Sequence, residues 1–254
     1  MARTIVITGS ASGIGRATAE RCAASGDRVI GVDLRDADIE VDLGAAAGRA
    51  KLVEEVTRLA PDGIDGLLAG AGLGRPDMPR EVIALNYFGT VATLEGLRPL
   101  LAKSSRPRAV AISSTAGFMP GNPAIVAACL SGDEDAAIAA ITAAPASAYP
   151  DSKRALSMWL RRAAVRPEWA GSGILLNAVG PGVTRTAMTA PLLGEPQWVE
   201  VIKQTNPVAV KDYAEPGDIA ELLQYLLSFE NTYTVGQIIY IDGGSDPILR
   251  PTDI

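Results

Sequence analysis

Short β-branched apolar runs alternate along the chain with longer stretches whose apolar positions recur at helical spacing. Arg3–Thr8 (RTIVIT), Arg28–Val32 (RVIGV), Asp65–Ala69 (DGLLA), Ala109–Ser113 (AVAIS), Gly173–Ala178 (GILLNA) and Gln237–Ile241 (QIIYI) predict buried strands. Helices are predicted between them at about 13–25, 45–59, 81–102, 149–166 and 216–228. Near-continuous apolar strands separated by helices belong to a parallel sheet covered on both faces. The fold class expected is therefore α/β, a doubly wound parallel sheet of the Rossmann type. No repeat, low-complexity tract or linker divides the chain, so residues 1–254 are expected to form a single domain. One connection stays open. Only Leu34–Asp38 separates Ile39–Val41 from the second strand, whereas a parallel crossover normally needs a dozen or more residues. Either the crossover helix is missing or Ile39–Val41 is not a neighbouring parallel strand.

Composition narrows the chemistry. With 48% apolar and 20% charged residues, a packed core is expected rather than disorder. The net charge of -6 opposes nucleic acid and anionic membranes as partners. No run approaches the ~20 apolar residues that span a bilayer. Cys22 and Cys129 lie far apart without a C-x-x-C, so neither a disulfide framework nor a zinc site is expected. The chain contains no histidine, which excludes Ser-His-Asp hydrolysis and H-E-x-x-H chemistry. Any acid/base step near neutrality must use Tyr, Lys or a carboxylate, and no metal is expected. The first apolar run begins within three residues of the N-terminus, which predicts no signal peptide and a cytoplasmic protein.

Thr8-Gly9-Ser10-Ala11-Ser12-Gly13-Ile14-Gly15 links the first strand to an alanine-rich helix. Gly9 permits a tight turn, Gly13 admits a pyrophosphate to the backbone, and Gly15 lets helix and strand pack closely. Free N–H groups at the helix start and the helix dipole would then face the phosphates. Asp33 ends the second strand eighteen positions beyond Gly15, where a carboxylate accepts ribose hydroxyls and repels a 2′-phosphate. Arg16 and Arg35 lie near enough to tolerate that phosphate, so NAD is favoured over NADP without excluding it. Asp42 is placed either to approach the adenine or to cap a turn.

Tyr149-Pro150-Asp151-Ser152-Lys153 opens a predicted helix, and the spacing of four puts Tyr149 and Lys153 on one face. A phenol with a pKa of about 10 is a poor base at neutral pH, and a nearby ammonium favours its phenolate. With the glycine turn, Asn86, Ser114, Pro181-Gly182 and Asp242-Gly243-Gly244, all in order, the chain resembles the short-chain dehydrogenase/reductase family in its single-domain branch, over essentially its whole length.

The resemblance implies an NAD-dependent alcohol dehydrogenase or ketone reductase. Tyr149 would be its acid/base, Ser114 the group that polarises the substrate oxygen, and Lys153 the ribose-binding partner of the tyrosine. Asn86 would hold a water of a proton relay. Ser114 rather than Ser113 fits, because Ser114 and Gly117 make the family's S-x-x-G. The implied cofactor site comprises Gly9, Ser12, Gly13, Ile14, Gly15, Asp33, Asp42, Leu43, Ala71, Gly72, Tyr149, Lys153, Thr184 and Thr186. Thr184 and Thr186 belong to the loop expected to bind the nicotinamide carboxamide.

Two departures from the family pattern stand out. Ala69-Gly70-Ala71-Gly72 replaces the usual N-N-A-G, so hydrogen bonds made by two asparagines must come from elsewhere. Thirty-five positions separate Ser114 from Tyr149, more than twice the family's interval, and about 122–146 reads as an inserted helical segment broken at Ser131-Gly132-Asp133. The family is commonly tetrameric; the insertion argues for a homo-oligomer with altered contacts, expected to be a dimer. Residues at about 187–213 would form a flap over the substrate, with Met188, Leu192, Leu193, Trp198, Phe118 and Met119 as candidate apolar lining. That lining suits a small hydrophobic alcohol or ketone such as a 3-hydroxysteroid. An aromatic or alicyclic alcohol is the alternative substrate, and a non-catalytic NAD-binding module is the alternative of a different class.

Overall fold

Strand β1 (Thr4–Thr8) carries Ile5, Val6 and Ile7 fully buried, and its alternate residues enter two different cores. Both faces of such a strand need helical cover. The computed structural model describes residues 2–119 and 121–252. After β1 come α1 (Gly13–Ala24), β2 (Arg28–Asp33), β3 (Ile39–Glu40), α2 (Ala46–Leu59) and β4 (Gly66–Ala69). A rod follows, made of α3 (Pro79–Ile83), a π-helical segment Ala84–Gly89 and α4 (Thr90–Leu101). Next are β5 (Arg108–Ile112), α5 (Pro123–Ser131), α6 (Glu134–Ala143), α7 (Ala148–Ala163) and β6 (Leu175–Pro181). The chain continues through α8 (Ala190–Gly194), α9 (Pro196–Thr205), α10 (Pro216–Leu227), β7 (Ile238–Ile241) and α11 (Ser245–Leu249).

The strands form one parallel sheet in the order β3-β2-β1-β4-β5-β6-β7. Ile5, Ile7, Leu68, Val110 and Val179 face Cys22 of α1 and Ile219, Leu223 and Leu226 of α10. On the other face Val6, Leu67, Ala109 and Ala111 meet Leu52 and Val56 of α2, Leu94 and Leu97 of α4, and Leu156 and Leu160 of α7. Fully burying each of these larger side chains contributes roughly 1.5–3 kcal/mol, so the period-2 pattern binds two helical layers to the sheet. The doubly wound α/β sheet expected from the sequence is the observed fold. Strand order reverses between β1 and β4, which opens a crevice at their carboxyl ends.

Three details go beyond the sequence pattern. Ile39–Glu40 is a parallel neighbour of β2 despite the missing crossover helix, pairing Val32 with Ile39 and Asp33 with Glu40. Two residues need little return travel. Asp36 makes the turn at φ 56, and the Asp38 carboxylate accepts from Gly31 N–H at 2.7 Å. Strand β6 starts and ends later than the pattern suggests, because Gly173 turns left-handed at φ 78 while pairing with β5 and β7 carries the strand on to Pro181. The predicted helix at 81–102 is interrupted by its π-helical segment, which holds Asn86.

Two helices, α5 and α6, lie between Ser114 and Tyr149, separated by Gly132 at φ 79. Asn122 and Asp133 cap them by accepting from Ala124 and Ala136 N–H. Ile125, Cys129, Ala137 and Ile141 join the core that α7 enters.

A methyl at Gly15 would lie 2.0 Å from the Gly9 carbonyl oxygen, a backbone atom that cannot withdraw. Gly15→Ala is expected to cost about 3 kcal/mol or more in stability, read by urea denaturation. Wild-type stability in that variant would show that α1 does not depend on the close approach.

Candidate active site

The turn after β1 has the geometry of an anion cradle. Gly9 and Gly13 adopt φ 75 and 53, and the Ser12 side chain makes no capping bond to the first turn of α1. The first-turn amides are thus left free of a side-chain cap at the positive end of a 12-residue helix. The turn opens into a cleft of about 580 Å³. Asp33 stands at one end, its Oδ2 accepting from Ala11 N–H at 3.0 Å and its Oδ1 from Leu34 N–H at 2.7 Å. Asp42 lines the same end and also caps a turn, accepting from Gly44 N–H at 2.8 Å.

Gly9, Ser12, Gly13, Ile14, Gly15, Asp33, Asp42, Leu43, Ala71, Gly72, Ser114, Tyr149, Lys153, Thr184 and Thr186 all line this one cleft. Asn86 does not; it is fully buried behind the wall. Its Oδ1 accepts from Leu73 N–H at 2.8 Å while its Nδ2 donates to the Leu73 carbonyl at 2.9 Å, clamping the loop after β4. The start of that loop, where the family's asparagines are missing, is held by Thr8. Its hydroxyl oxygen accepts from Gly70 N–H at 3.0 Å and Ala71 N–H at 3.1 Å. Sequence reasoning missed this role, since the bond depends on β1 lying beside β4.

Tyr149 and Lys153 stand one turn apart on α7, with the ammonium 5.8 Å from the centre of the phenol ring. Lys153 Nζ donates to the Ile112 carbonyl at 2.7 Å. Burial pushes the Lys153 ammonium down to about 8. Burial also raises the Tyr149 phenol, and the Ser114 hydroxyl beside it acts in the opposite direction. Ser114 is oriented by accepting from Ala116 N–H at 3.2 Å. Ser113 has a different task, because its hydroxyl is bonded to that of Ser157 at 2.7 Å.

The loop after β6 closes the other side. Thr184 is buried, and Thr189, not singled out from sequence, bonds to the backbone of both Thr184 and Thr186. A methyl on Gly13 would stand 3.3 Å from Thr186 Cγ2, so this loop meets the glycine turn. Residues 187–213 contain α8 and α9. Met188 is half-exposed and lines the cleft; Leu192, Trp198 and Met119 are as exposed but do not line it, and Leu193 lies on an adjoining surface depression. Phe118 packs edge-on against Tyr240 and under the Arg250 guanidinium, 4.2 Å from its ring centre.

A dinucleotide fits these residues: uncapped amides for its phosphates, a carboxylate for a ribose, and a buried ammonium beside a half-buried phenol at the far end. Comparison with known proteins agrees. A family model described as short chain dehydrogenase matches residues 3–128, and one described as Enoyl-(Acyl carrier protein) reductase matches residues 135–246. The 3-alpha-hydroxysteroid dehydrogenase/carbonyl reductase of Comamonas testosteroni is 36% identical over 256 residues, covering 98% of each chain. The chain belongs to the short-chain dehydrogenase/reductase family. A solved relative in that family, the 3-alpha-hydroxysteroid dehydrogenase from Pseudomonas sp. B-0831 complexed with NADH, is also 36% identical. It superposes with a TM-score of 0.92 over 99% of this chain and 100% of its own. The cis-4-hydroxycyclohexanecarboxylate dehydrogenase of Sinomonas cyclohexanicum is 29% identical, with 95% of this chain and 96% of the relative covered. As a short-chain dehydrogenase/reductase the protein is an oxidoreductase. Among the described residues no group of histidine, cysteine or carboxylate side chains could hold a metal, and no helix is long and apolar enough to cross a membrane.

Thr8→Val keeps the side-chain shape and strands the Gly70 and Ala71 N–H groups. It is expected to cost about 1–3 kcal/mol in urea denaturation. An unchanged midpoint would mean that another acceptor holds the loop.

Proposed function

We propose that the protein is an NAD(H)-dependent oxidoreductase that interconverts a secondary alcohol and a ketone, with a hydrophobic substrate such as a 3-hydroxysteroid. The observation that carries the reading is the convergence of Ser114, Tyr149 and Lys153 on the cleft whose opposite end is marked by Asp33. The Asp33 carboxylate, already oriented by two backbone N–H groups, would accept ribose hydroxyls and repel a 2′-phosphate, which favours NAD over NADP. Gly9, Ser12, Gly13, Ile14 and Gly15 would hold the pyrophosphate, and Asp42 and Leu43 the adenine. Ala71, Gly72, Thr184 and Thr186 would flank the nicotinamide half. The nucleotide supplies or accepts the hydride.

The remaining chemistry belongs to the chain. In reduction the Tyr149 hydroxyl gives its proton to the ketone oxygen while Ser114 donates a hydrogen bond to the same atom. In oxidation the Tyr149 phenolate takes the proton back. Lys153 stabilises that phenolate and would bind the nicotinamide ribose. Asn86, in a π-helical segment of the kind that recurs at functional sites, would anchor a water passing protons to Lys153. Its side chain is engaged with Leu73, which also keeps the loop next to Lys153 in place.

Substrate class rests on the names of the relatives together with Met78, Leu85 and Met188 in the cleft. A cyclic alcohol smaller than a steroid is a second reading, favoured by the likeness to a hydroxycyclohexanecarboxylate dehydrogenase. The two buried free thiols suit a reducing cytoplasm. A homodimer completes the reading, since β7 is a sheet edge whose four residues are only half-buried.

The sign of the pH dependence follows from Lys153 and Tyr149 titrating as a coupled pair. Below about 8 the pair carries ammonium and phenol, the state that donates a proton and so serves reduction. Loss of one proton leaves Lys153 as an amine beside the phenol, and transfer of the phenol proton to that amine gives the ammonium–phenolate arrangement needed for oxidation. Alcohol oxidation is therefore expected to rise, and ketone reduction to fall, as pH increases through the range in which the lowered Lys153 ammonium gives up its proton. Tyr149→Phe should lower kcat by about 10²–10⁴ while NADH still binds. A panel of steroid, aromatic and alicyclic alcohols, assayed with NAD and with NADP, tests the whole reading. NADH binding without turnover of any alcohol would favour the non-catalytic module, and better rates with NADP would overturn the cofactor assignment.

A further inference from the structure

Arg49, in the first turns of α2, has an unusual concentration of contacts for a side chain that touches neither the cleft nor the catalytic residues. Its Nε donates to the Leu43 carbonyl at 2.9 Å. Its Nη2 donates to the carbonyls of Gly44 at 2.9 Å and Ala84 at 3.0 Å. Both terminal nitrogens reach the Glu134 carboxylate, Nη1 to Oε2 at 2.7 Å and Nη2 to Oε1 at 2.9 Å. The pair is largely shielded, with the Arg49 side chain 13% and the Glu134 side chain 31% exposed.

Three structural units meet at this guanidinium. Leu43 and Gly44 form the rim of the cleft next to Asp42. Ala84 begins the π-helical segment that carries Asn86, and a methyl at Gly89, the end of that segment, would stand 2.7 Å from the Leu43 carbonyl oxygen. Glu134 is the first residue of α6, in the stretch that separates Ser114 from Tyr149. A planar fork is the side chain suited to this task, because it can satisfy a carboxylate in two-point fashion and still donate to carbonyls on its other edges. Glu134 neutralises and orients the fork; without it, a shielded cation would be free to turn towards water and release the rim.

We propose that Arg49 and Glu134 are positioning residues through which α6 fixes the Leu43–Gly44 rim and so sets the affinity for the adenosine half of the nucleotide. This rests on the reading of the cleft as an NAD(H) site. The effect belongs to binding, because the pair lies at the end of the cleft away from Tyr149 and Lys153.

The test uses the full chain with Glu134→Gln and Arg49→Lys, titrated with NADH by fluorescence and with AMP by competition. Glu134→Gln is expected to raise both Kd values about 5-fold, and Arg49→Lys, which keeps the charge but loses the fork, about 10-fold. kcat at saturating nucleotide should stay within about twofold of wild type, with an unaltered pH profile, a split that a general loss of structure would not produce. Unchanged Kd values for both ligands overturn the proposal, whether or not the melting temperature falls. A loss of kcat with affinity intact overturns it as well. If Arg49→Lys does not fold, Glu134→Gln, at a third-exposed helix start, decides alone. Failure of the wild type to bind NADH is a separate result, which overturns the functional reading and the proposal with it.

Discussion

A buried ammonium is the constraint around which the rest of the site is arranged. Lys153 is almost without exposure, and among the described residues its Nζ donates only to the Ile112 carbonyl. A lysine normally extends its charged end to water, and holding it inside demands surroundings that cannot yield. The fold supplies them. Gly117 lets its loop approach the Lys153 backbone so closely that a methyl would lie 3.1 Å from the carbonyl carbon. At Gly72 a methyl would stand in ordinary contact, 3.8 Å from Nζ and 3.4 Å from the Asn86 Oδ1, which places this loop against both side chains. Behind them, Asn86 clamps Leu73 and Thr8 clamps Gly70 and Ala71. The same desolvation that brings the ammonium down to about 8 raises the phenol beside it, so burial disfavours the charged form of both groups.

The Asp33 end of the cleft, proposed to hold the nucleotide, obeys a different physics. Its determinants are backbone: left-handed glycines, uncapped amides and a carboxylate held by two N–H groups. Such a site depends on where its loops sit more than on what side chains they carry. The Arg49–Glu134 pair then acquires meaning, since it ties one such loop to the π-helical segment and to the helices between Ser114 and Tyr149. Those helices share the core of α7, so the segment between Ser114 and Tyr149 is packed with the helix that carries Tyr149 and Lys153 as well as tied to the Leu43–Gly44 rim.

The strands, the doubly wound sheet, the glycine turn and the Tyr149–Lys153 pair were legible in the sequence because each has a local signature, whereas Ser114, Leu43, Ala71, Gly72, Thr184 and Thr186 were reached only through the family resemblance. β-branched runs, a glycine trio between strand and helix, and a Tyr–Lys spacing of four can all be read without neighbours. What was not legible depends on neighbours. The π-helical interruption at Ala84–Gly89, the parallel pairing of Ile39–Glu40 and the Thr8 clamp are decided by elements distant in sequence. Arg49 was invisible for the same reason: all five atoms it meets are carbonyl or carboxylate oxygens outside α2, three of them on the π-helical segment and α6, brought together only by the fold. The candidate substrate lining fared unevenly, as Met188 lines the cleft while Leu192, Trp198 and Met119 do not.

The central claim, that a desolvated Lys153 drives the acid/base pair, can be measured at the lysine itself. In an NMR titration of protein carrying isotope-labelled lysine, one resonance should titrate near pH 8 and vanish in Lys153→Arg. No lysine titrating below pH ~9.5 would contradict the account, because an ammonium with the ordinary pKa of about 10.4 is not desolvated.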